Sequence, residues 1–308
     1  MTFSITVLGS SSALPTAKRF PTAHLLNAYE RFFLIDCGEG TQIQLRKFKL
    51  KFSKINHIFI SHLHGDHYFG LFGLLSSFSL LGRRNALNIY AHSELENILN
   101  NQFKYYELQF KINFHKLPVN SSEIIYEDKN IFIETFPLKH RIPTNGFLFK
   151  EKKRDLNLRK DVVQEYKLSV KDILSIKQGN DYFWENGEII KNTQLTHLPY
   201  KTRAYAFCSD TAFYPEIVKY ISNADILYHE ATFTEEMKDR AKNTYHSTAL
   251  QAAEIAKMAN VKKLLIGHFS SRYKDISILE NEARSIFENT LAVIEGGKYT
   301  IEQEREIN

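Results

Sequence analysis

A stretch of six residues concentrates side chains that bind metal ions: His62, His64, Asp66 and His67. Imidazole nitrogens and carboxylate oxygens suit zinc and, less tightly, manganese or iron. The stretch contains no thiol, which favours an open, water-bearing site over a structural zinc finger. On an extended segment alternate side chains face the same way, so His62 and His64 could share one ion while Asp66 and His67 hold a second. An ordinary polar loop is the alternative interpretation, and four potential ligands in six residues argue against it.

The segments on either side of this stretch predict where it lies in the fold. An apolar strand is predicted over 57–60, directly before it, and an apolar helix over 71–80, directly after it. The polar residues therefore stand where a strand ends and a helix begins. In α/β folds this is the usual place for a ligand.

Three further candidate ligands follow predicted strands farther along the chain. His140 follows a strand over 131–138, Asp210 one over 204–208, and His268 one over 262–266. Because the three share the same setting, they are stronger candidates together than any one of them is alone. The two oxygens of Asp210 could bridge two ions. The histidines that lack this setting are interpreted as structural or surface residues: His57, His92, His115 and His197.

Two metal ions a few ångströms apart can bind and deprotonate a water between them and hold the oxygens of a phosphoryl or carbonyl group. The pattern therefore indicates a hydrolase. Asp66 could orient or deprotonate the attacking water as well as bind metal.

The order of predicted elements indicates an α/β fold. Two halves rich in strand–helix alternation flank a segment of different character, and each half places histidine or aspartate at its strand ends. Two sheets packed face to face, with helices outside both, would bring those ends to one edge. Hydroxyl side chains are expected to cap three helices: Thr41, Ser93 and Ser247, the last beginning a long helix that runs through Met258.

The segment over about 150–192 is charged and has few strand signals. It holds ten basic and eight acidic residues, with the excess of positive charge at its beginning. It is interpreted as an insertion apart from the core layers. A solvated helical hairpin with no binding role is the alternative.

Composition limits the class of protein. With 308 residues, 43% of them hydrophobic, the chain can bury a full core, and its net charge of +5 is compatible with a polyanion such as RNA but is weak support for one. The sequence has no signal-peptide pattern and no apolar run near the roughly 20 residues of a membrane helix. Cys37 and Cys208 form no disulfide framework. A cytoplasmic protein with reduced thiols is expected, without a membrane partner.

The motif Ser61-His62-Leu63-His64-Gly65-Asp66-His67 resembles the signature of the metallo-β-lactamase superfamily. Later motifs narrow the resemblance to ribonuclease Z, the short bacterial form that cuts the 3′ trailer from precursor tRNA. These motifs lie over 209–211, 229–233, 245–248 and 267–273 and include His229-Glu230-Ala231-Thr232 and His246-Ser247-Thr248. The resemblance covers nearly the whole chain. It implies a four-layer αββα sandwich formed as a single domain over 1–308, with the insertion serving as a tRNA-binding arm.

The resemblance also implies a role for each candidate residue. One zinc would bind His62, His64 and His140, and a second would bind Asp66, His67 and His268, with Asp210 bridging them. Two Zn²⁺ per subunit are therefore expected, with Mn²⁺ as a possible substitute. Asp66 would be the general base. His246, held by Glu230, would protonate the leaving 3′ oxygen and so leave a 3′-hydroxyl on the tRNA; a helix-start histidine without a chemical role is the alternative for His246.

Two regions depart from the family pattern. The segment Pro15–Phe20 resembles a substrate-facing loop, but Phe20 stands where asparagine is common; Lys18 and Arg19 could contact phosphate or form a merely solvated turn. The insertion keeps Lys177 and Gly179 of the arm but has no Gly-Pro turn. A homodimer, in which the arm reaches tRNA from the partner subunit, is implied only by the resemblance.

Two other functions are kept as alternatives. The first is a less specific phosphodiesterase. Comparing the turnover of a small chromogenic diester with that of precursor tRNA would distinguish it from ribonuclease Z. The second is an RNA-binding protein without catalysis. The complete set of inferred ligands argues against this alternative, as does the Glu230–His246 pair.

Overall fold

The computed structural model describes residues 1–305. In chain order its strands are β1 Phe3–Gly9, β2 Ala23–Ala28, β3 Arg31–Ile35, β4 Ile55–Phe59, β5 Leu87–Ala91, β6 Ile112–Lys116, β7 Glu123–Glu127, β8 Ile131–Pro137, β9 Asn145–Glu151, β10 Asn157–Leu158, β11 Tyr182–Phe183, β12 Ile189–Ile190, β13 Thr196–His197, β14 Ala204–Cys208, β15 Ile226–Glu230, β16 Lys263–Gly267, β17 Thr290–Ala292 and β18 Lys298–Thr300. Its α-helices are α1 Thr41–Lys47, α2 Gly65–Tyr68, α3 Gly70–Leu80, α4 Glu94–Gln102, α5 Lys160–Glu165, α6 Val170–Lys177, α7 Asn192–Leu195, α8 Val218–Ile221, α9 Lys238–Thr244, α10 Ala249–Met258 and α11 Ser277–Arg284.

The chain divides into two compact units. The first comprises Met1–Lys150 and Ala204–Ile301, and the second comprises Glu151–Arg203 and, of the described residues, 302–305. The first unit contains two mixed seven-stranded sheets. Their strand orders are β18-β1-β2-β3-β4-β5-β6 and β17-β16-β15-β14-β9-β8-β7.

The two sheets pack face to face through an aromatic layer. The ring centroids of Phe59 in β4 and Phe147 in β9 are 5.6 Å apart, and those of Phe33 in β3 and Phe149 in β9 are 6.0 Å apart. The first sheet is covered on its other face by apolar side chains of α1, α3 and α4, and the second sheet packs against α10 and α11. The predicted α/β fold, an αββα sandwich, is confirmed.

Parallel strands at the centre of each sheet set the position of the site. β3, β4 and β5 are parallel to one another in the first sheet, as are β14, β15 and β16 in the second. The carboxyl ends of neighbouring parallel strands meet at one edge of a sheet. Residues that directly follow these strands therefore cluster there.

The second unit has a small core of its own. Its buried apolar side chains are Val162, Leu168, Ile176, Ile190 and Leu195. Helix α6 begins with a capping box between Ser169 and Asp172, and the hairpin of β11 and β12 adds a short ladder. The first and last residues of the segment 151–203 are joined, since Arg203 donates to the buried carboxylate of Glu151 at 2.8 Å.

Several local predictions were wrong. Strand β9 was not predicted, although its apolar residues Phe147, Leu148 and Phe149 are buried. Helix α10 is capped by Thr248, whose side chain accepts from the backbone N–H of Gln251, and not by Ser247. The capping residue of helix α1 is Gly40 and not Thr41, which is already the first residue of the helix. Gly40 adopts a left-handed φ of 82° that ends the preceding turn.

The remaining expectations concern a helix end and membrane helices. Ser93 stands at the start of α4 but its side chain makes no capping hydrogen bond. Within residues 1–305, every helix is too short or too polar to cross a membrane.

Candidate active site

The histidine-rich stretch lies at the carboxyl end of β4, as predicted. His62 and His64 follow the strand in extended chain, and Asp66 and His67 lie in the short helix α2. The turn is tight: a Cβ on Gly70 would come within 2.1 Å of the Gly38 carbonyl oxygen. Only glycine at position 70 allows this close approach, which brings α3 against the loop after β3.

The three distant candidates reach the same place from other strands. His140 follows β8, Asp210 follows β14 and His268 follows β16. The backbones of Asp210 and His268 are left-handed, with φ of 55° and 57°. This conformation is uncommon for residues with a side chain and is concentrated at functional sites.

One group of side chains converges around His64. The Nδ1 atom of His64 lies 3.0 Å from Nε2 of His62 and 3.2 Å from Nε2 of His140. The Oδ2 atom of Asp210 lies 3.6 Å from the same nitrogen of His62 and 3.7 Å from that of His140. Three imidazole nitrogens and one carboxylate oxygen therefore surround a common point.

A second group lies beside the first and shares Asp210 with it. The Oδ1 atom of Asp210 is 3.1 Å from Nε2 of His67 and 3.1 Å from Nε2 of His268. The Oδ2 atom of Asp66 is 3.4 Å and 3.5 Å from these two nitrogens. Each oxygen of Asp210 thus faces a different group, the arrangement that a bridging carboxylate requires.

Hydrogen bonds hold the outer nitrogens of four of these histidines. The bonds join His62 Nδ1 to Ser61 Oγ at 3.0 Å, His67 Nδ1 to Asp36 Oδ2 at 2.7 Å, His140 Nδ1 to the Tyr245 carbonyl at 2.9 Å, and His268 Nδ1 to Thr232 Oγ1 at 2.9 Å. Such bonds orient a ligand imidazole and select the tautomer whose other nitrogen is free to bind metal.

Burial and charge set the protonation states of the cluster. Burial lowers the pKa of His62, His64 and His140, which favours the neutral imidazoles that bind metal. Burial alone would raise the pKa of Asp210, but the neighbouring imidazoles His268 and His67 outweigh it and keep that pKa low. The bridging position therefore carries negative charge that a bound cation would balance.

A carboxylate–imidazole pair stands next to the cluster. Oε1 of Glu230, the last residue of β15, is 2.7 Å from Nδ1 of His246 and accepts from the Thr211 amide at 2.9 Å. Its other oxygen accepts from the hydroxyl of Thr232 at 2.5 Å. Burial alone would lower the pKa of His246, but the charge and hydrogen bond of Glu230 raise the pKa to about 9. The raised pKa favours the protonated imidazole, which is the form that can donate a proton.

Four of these side chains line one cleft. Its volume is about 550 Å³, and its lining includes His64, Asp66, His140 and His246. The cleft is also lined by Ala13, Leu14 and Pro15 of the loop after β1.

The loop after β1 is fixed to the site through main-chain and side-chain bonds. The Ala13 amide donates to Oδ2 of Asp66 at 2.8 Å. Arg19 donates through Nη2 to the carbonyls of Ser270 and Tyr273, at 3.2 and 3.0 Å. Phe20 donates its amide to Glu295 at 2.6 Å.

The structure brings together every predicted site residue and adds others that the sequence did not indicate. All seven candidate ligands belong to groups whose ligand atoms lie within 4.8 Å of one another, and His246 lies beside Asp210 and His268 in such a group. Asp36, Thr232 and the Tyr245 carbonyl were missed. The only sequence signal for Asp36 was its place directly after an apolar strand.

The donor set fits a divalent metal. Nε2 of His67 and Nε2 of His268 are buried and have no hydrogen-bond partner, although both point at Asp210. Unpaired buried nitrogens are costly unless something binds them. Histidine and aspartate without cysteine suit zinc or manganese at an open site.

Comparison with known proteins gives close relatives over the full length. The chain is 50% identical over 302 residues to ribonuclease Z of Phocaeicola vulgatus, covering 97% of this chain and 98% of the relative. It is 50% identical over 291 residues to ribonuclease Z of Bacteroides fragilis, covering 94% of this chain and 96% of the relative. The family model described as anti-Pycsar protein Apyc1 matches residues 3–171.

Solved structures agree with these relatives. The crystal structure of the short form of human tRNase Z superposes with a TM-score of 0.70 at 27% identity, covering 97% of this chain and 99% of that one. A metallo-β-lactamase fold protein from Bacillus subtilis has the same TM-score at 16% identity, covering 97% and 98%, and supports the fold alone.

Proposed function

The chain belongs to the ribonuclease Z family of the metallo-β-lactamase superfamily, and we propose that two zinc ions at the cleft serve its nuclease activity. The enzyme is an endoribonuclease that removes the 3′ trailer from precursor tRNA. The observation that carries the proposal is the convergence of six histidine and aspartate side chains on Asp210, next to the Glu230–His246 pair.

We assign the ligands in two sets. His62, His64 and His140 would hold one ion, and Asp66, His67 and His268 the other, with Asp210 between them. Asp210 supports this division, because its Oδ2 atom faces the first set and its Oδ1 atom faces the second. Manganese is an alternative occupant. Two ions there would lower the pKa of a bound water and neutralise the oxygens of the scissile phosphate.

The protein's own side chains supply the proton transfers. Asp66 takes the proton of the attacking water, whose oxygen bonds to phosphorus. The bond between phosphorus and the ribose 3′ oxygen breaks, and His246 delivers its proton to that oxygen. The products are a 3′-hydroxyl on the tRNA and a 5′-phosphate on the trailer. Glu230 is buried and holds His246 in its protonated form, which suits a general acid.

Cleavage of a precursor tRNA that bears a 3′ trailer tests the proposal. Wild-type protein with zinc or manganese should release the trailer, and His64→Ala should reduce the rate by at least 100-fold. His115→Ala is the control, because His115 stacks on Tyr90 outside the cluster. Absence of cleavage by wild-type protein with either metal would overturn the proposal.

A less specific phosphodiesterase is the second candidate. The family model matches only residues 3–171, a range that includes His62 and His140 but not Asp210 or His246. The histidine-rich cluster without the Glu230–His246 pair would also serve a less specific phosphodiesterase. Turnover of a chromogenic diester at a kcat/KM equal to that of precursor tRNA would favour this candidate. Elemental analysis that finds no bound metal would favour a non-catalytic RNA-binding protein.

The second unit is proposed to be the arm that contacts tRNA. Its support is the family resemblance and the basic residues that it carries. Lys171→Gln combined with Lys177→Gln should raise KM for precursor tRNA and leave turnover of a small diester unchanged. An unchanged KM would remove the arm from substrate binding.

A cytoplasmic homodimer is the proposed form of the protein. Both cysteines, Cys37 and Cys208, are free and buried, as expected of a reducing compartment. Ile43 and Phe69 are apolar, more than half exposed, and line one groove of the first unit, so they are suited to a subunit contact. Light scattering should give twice the chain mass for wild type and one chain mass for Ile43→Asp. A monomeric wild type would overturn the dimer.

A further inference from the structure

The positive charge of the chain is concentrated in one region outside the arm. Residues 40–93 contain seven lysines and arginines and one carboxylate, Asp66, which belongs to the active site. Their formal charge of +6 exceeds the +5 of the whole chain. The densest part is the run Arg46-Lys47-Phe48-Lys49-Leu50-Lys51-Phe52-Ser53-Lys54. Basic residues interleaved with aromatic ones are typical of surfaces that bind polyanions.

Local structure directs these basic side chains outward. After α1, Lys49 adopts a left-handed φ of 56° that ends the helix, and the Leu50 amide donates to the Leu45 carbonyl. Leu50 and Phe52 then pack against the apolar core under the first sheet. Because successive side chains here point to alternate sides of the chain, Lys49 and Lys51 are left exposed on the side away from the core.

The turn after α3 adds a second source of charge. Arg83 stacks on Phe78, with its guanidinium carbon 5.1 Å from the ring centroid, and donates to the Ile55 carbonyl at 2.8 Å. The acceptors that Arg83 uses are uncharged, so its charge is not neutralised. Arg84 follows on the exposed side and bonds the neutral side chain of Gln109.

The two segments border one cavity of about 770 Å³, here called the basic cavity. Apolar side chains, among them Phe52 and Phe78, line it together with five cations: Arg46, Lys49, Lys51, Arg83 and Arg84. Across the part of the chain that the structure describes, no carboxylate lines this cavity. Among residues 1–305, the side chains of Arg46, Lys49 and Lys51 form no ion pair and no hydrogen bond. The basic cavity therefore carries positive charge that no carboxylate among the described residues of its lining neutralises.

The basic cavity lies away from the catalytic cleft. It is built at the amino end of β4, where residues 51–54 enter the strand, whereas the metal ligands follow the carboxyl end of β4. A strand of five residues separates the two ends, about 16 Å at the rise of a β-strand. A ligand that reaches both places must be long and anionic.

We propose that the basic cavity binds backbone phosphates of the precursor tRNA, as a second contact separate from the cleft and from the arm. The inference rests on the proposed function, because it takes the RNA substrate as the polyanion. Exposed, flexible lysines favour RNA backbone over a small nucleotide. A built nucleotide pocket would hold fixed, buried polar groups, whereas the free cations here are solvent-exposed and suit contact with phosphates regardless of base sequence.

Direct binding of precursor tRNA tests the proposal without requiring cleavage. The variant Arg46→Gln/Lys49→Gln/Lys51→Gln keeps Leu50, Phe52 and Arg83 and therefore the local fold. The matched control, Lys219→Gln/Lys257→Gln/Lys298→Gln, removes the same charge elsewhere on the first unit. Affinity is measured by fluorescence anisotropy from 50 to 300 mM salt, in chelator so that no cleavage occurs.

The cavity variant should bind precursor tRNA about 10- to 100-fold more weakly than the control near 0.15 M salt. The slope of log affinity against log salt should be shallower by roughly 2 to 3, since each lost phosphate contact removes about one. Turnover of a small chromogenic diester should match the control.

Equal affinities and equal slopes for the two variants would overturn the proposal. A second result would also overturn it: wild type and control bind ATP saturably, whereas the cavity variant loses ATP binding but keeps its tRNA affinity. That result would identify a nucleotide site. A wild type that binds precursor tRNA with the expected salt slope but never cleaves it would refute the proposed function and leave this contact supported.

Discussion

The carboxylate of Asp36 lies 2.7 Å from Nδ1 of His67, and both side chains are fully buried. The same carboxylate accepts from the backbone amide and the hydroxyl of Ser61, at 2.7 and 2.9 Å. Asp36 therefore connects the end of β3 to both ends of the histidine-rich stretch. It holds His67 as the tautomer whose Nε2 points at Asp210.

Replacement of Asp36 should weaken metal binding without removing a ligand. Asp36→Asn keeps the volume but loses the charge that fixes His67, so we expect a 10- to 100-fold loss of zinc affinity. The measurement is bound zinc by elemental analysis across a series of chelator concentrations. Asp225→Asn is the control, since Asp225 accepts from the Ala204 amide away from the cluster. Equal zinc affinity in Asp36→Asn and wild type would contradict the role.

His246 should act in proton transfer and not as a metal ligand. Nδ1 of His246 is held by Glu230, so His246→Ala should lower kcat on precursor tRNA by about 10²- to 10⁴-fold. Glu230→Gln should lower it less, because the amide still orients the imidazole. Both variants should keep the zinc content of wild type. A His246→Ala protein that loses zinc would instead place His246 among the ligands beside Asp210 and His268.

The sequence predicted the ligand cluster because four candidate ligands are concentrated in 62–67 and the other three, His140, Asp210 and His268, closely follow strands. A polar residue at such a point, as at Asp210 or His268, has few other reasons to be there. The orienting contacts were not predictable in the same way. Thr232 and the Tyr245 carbonyl are ordinary groups whose role depends on which strands become neighbours.

Two local errors have physical causes. Strand β9 was missed because a charged run begins at Lys150, and the three apolar residues before it were too few to predict a strand. The cap of α10 was assigned to Ser247 although the spacing from Thr248 to Gln251 is that of a capping box. The hydroxyl of Ser247 instead donates to the Thr211 carbonyl at 2.7 Å.

Arg19 should act as an anchor of the loop after β1, whereas the exposed Lys18 should not. The guanidinium of Arg19 donates to two carbonyls, and charged hydrogen bonds of this kind contribute about 1.5–3 kcal/mol each. Because Arg19 is partly exposed, we expect Arg19→Ala to lower the free energy of unfolding by about 1–2 kcal/mol. Urea unfolding of Arg19→Ala and Lys18→Ala provides the matched comparison. Equal stability of the two variants would show that the observed bonds contribute nothing.

The buried histidine between the sheets should make stability depend on pH. His24 is fully buried, its Nδ1 lies 3.0 Å from the hydroxyl of Tyr205, and burial lowers its pKa to about 3. An unfolded chain binds a proton at this histidine below about pH 6.5, whereas the folded protein does so only near pH 3. The folded state therefore loses stability as pH falls from 6.5 toward 3, by up to about 1.4 kcal/mol per pH unit from this residue.

His24→Asn should remove this share of the pH dependence. The variant should be less stable than wild type at pH 7.5, but the difference should shrink by roughly 3 kcal/mol at pH 4.5, because asparagine does not titrate. Urea unfolding at pH 7.5, 6.5, 5.5 and 4.5, in chelator for both proteins, measures the difference while the metal cluster contributes equally to each. His197→Asn removes an exposed imidazole and should follow wild type at every pH. Parallel stability curves for His24→Asn and wild type would mean that His24 accepts a proton in the folded protein as readily as in the unfolded chain.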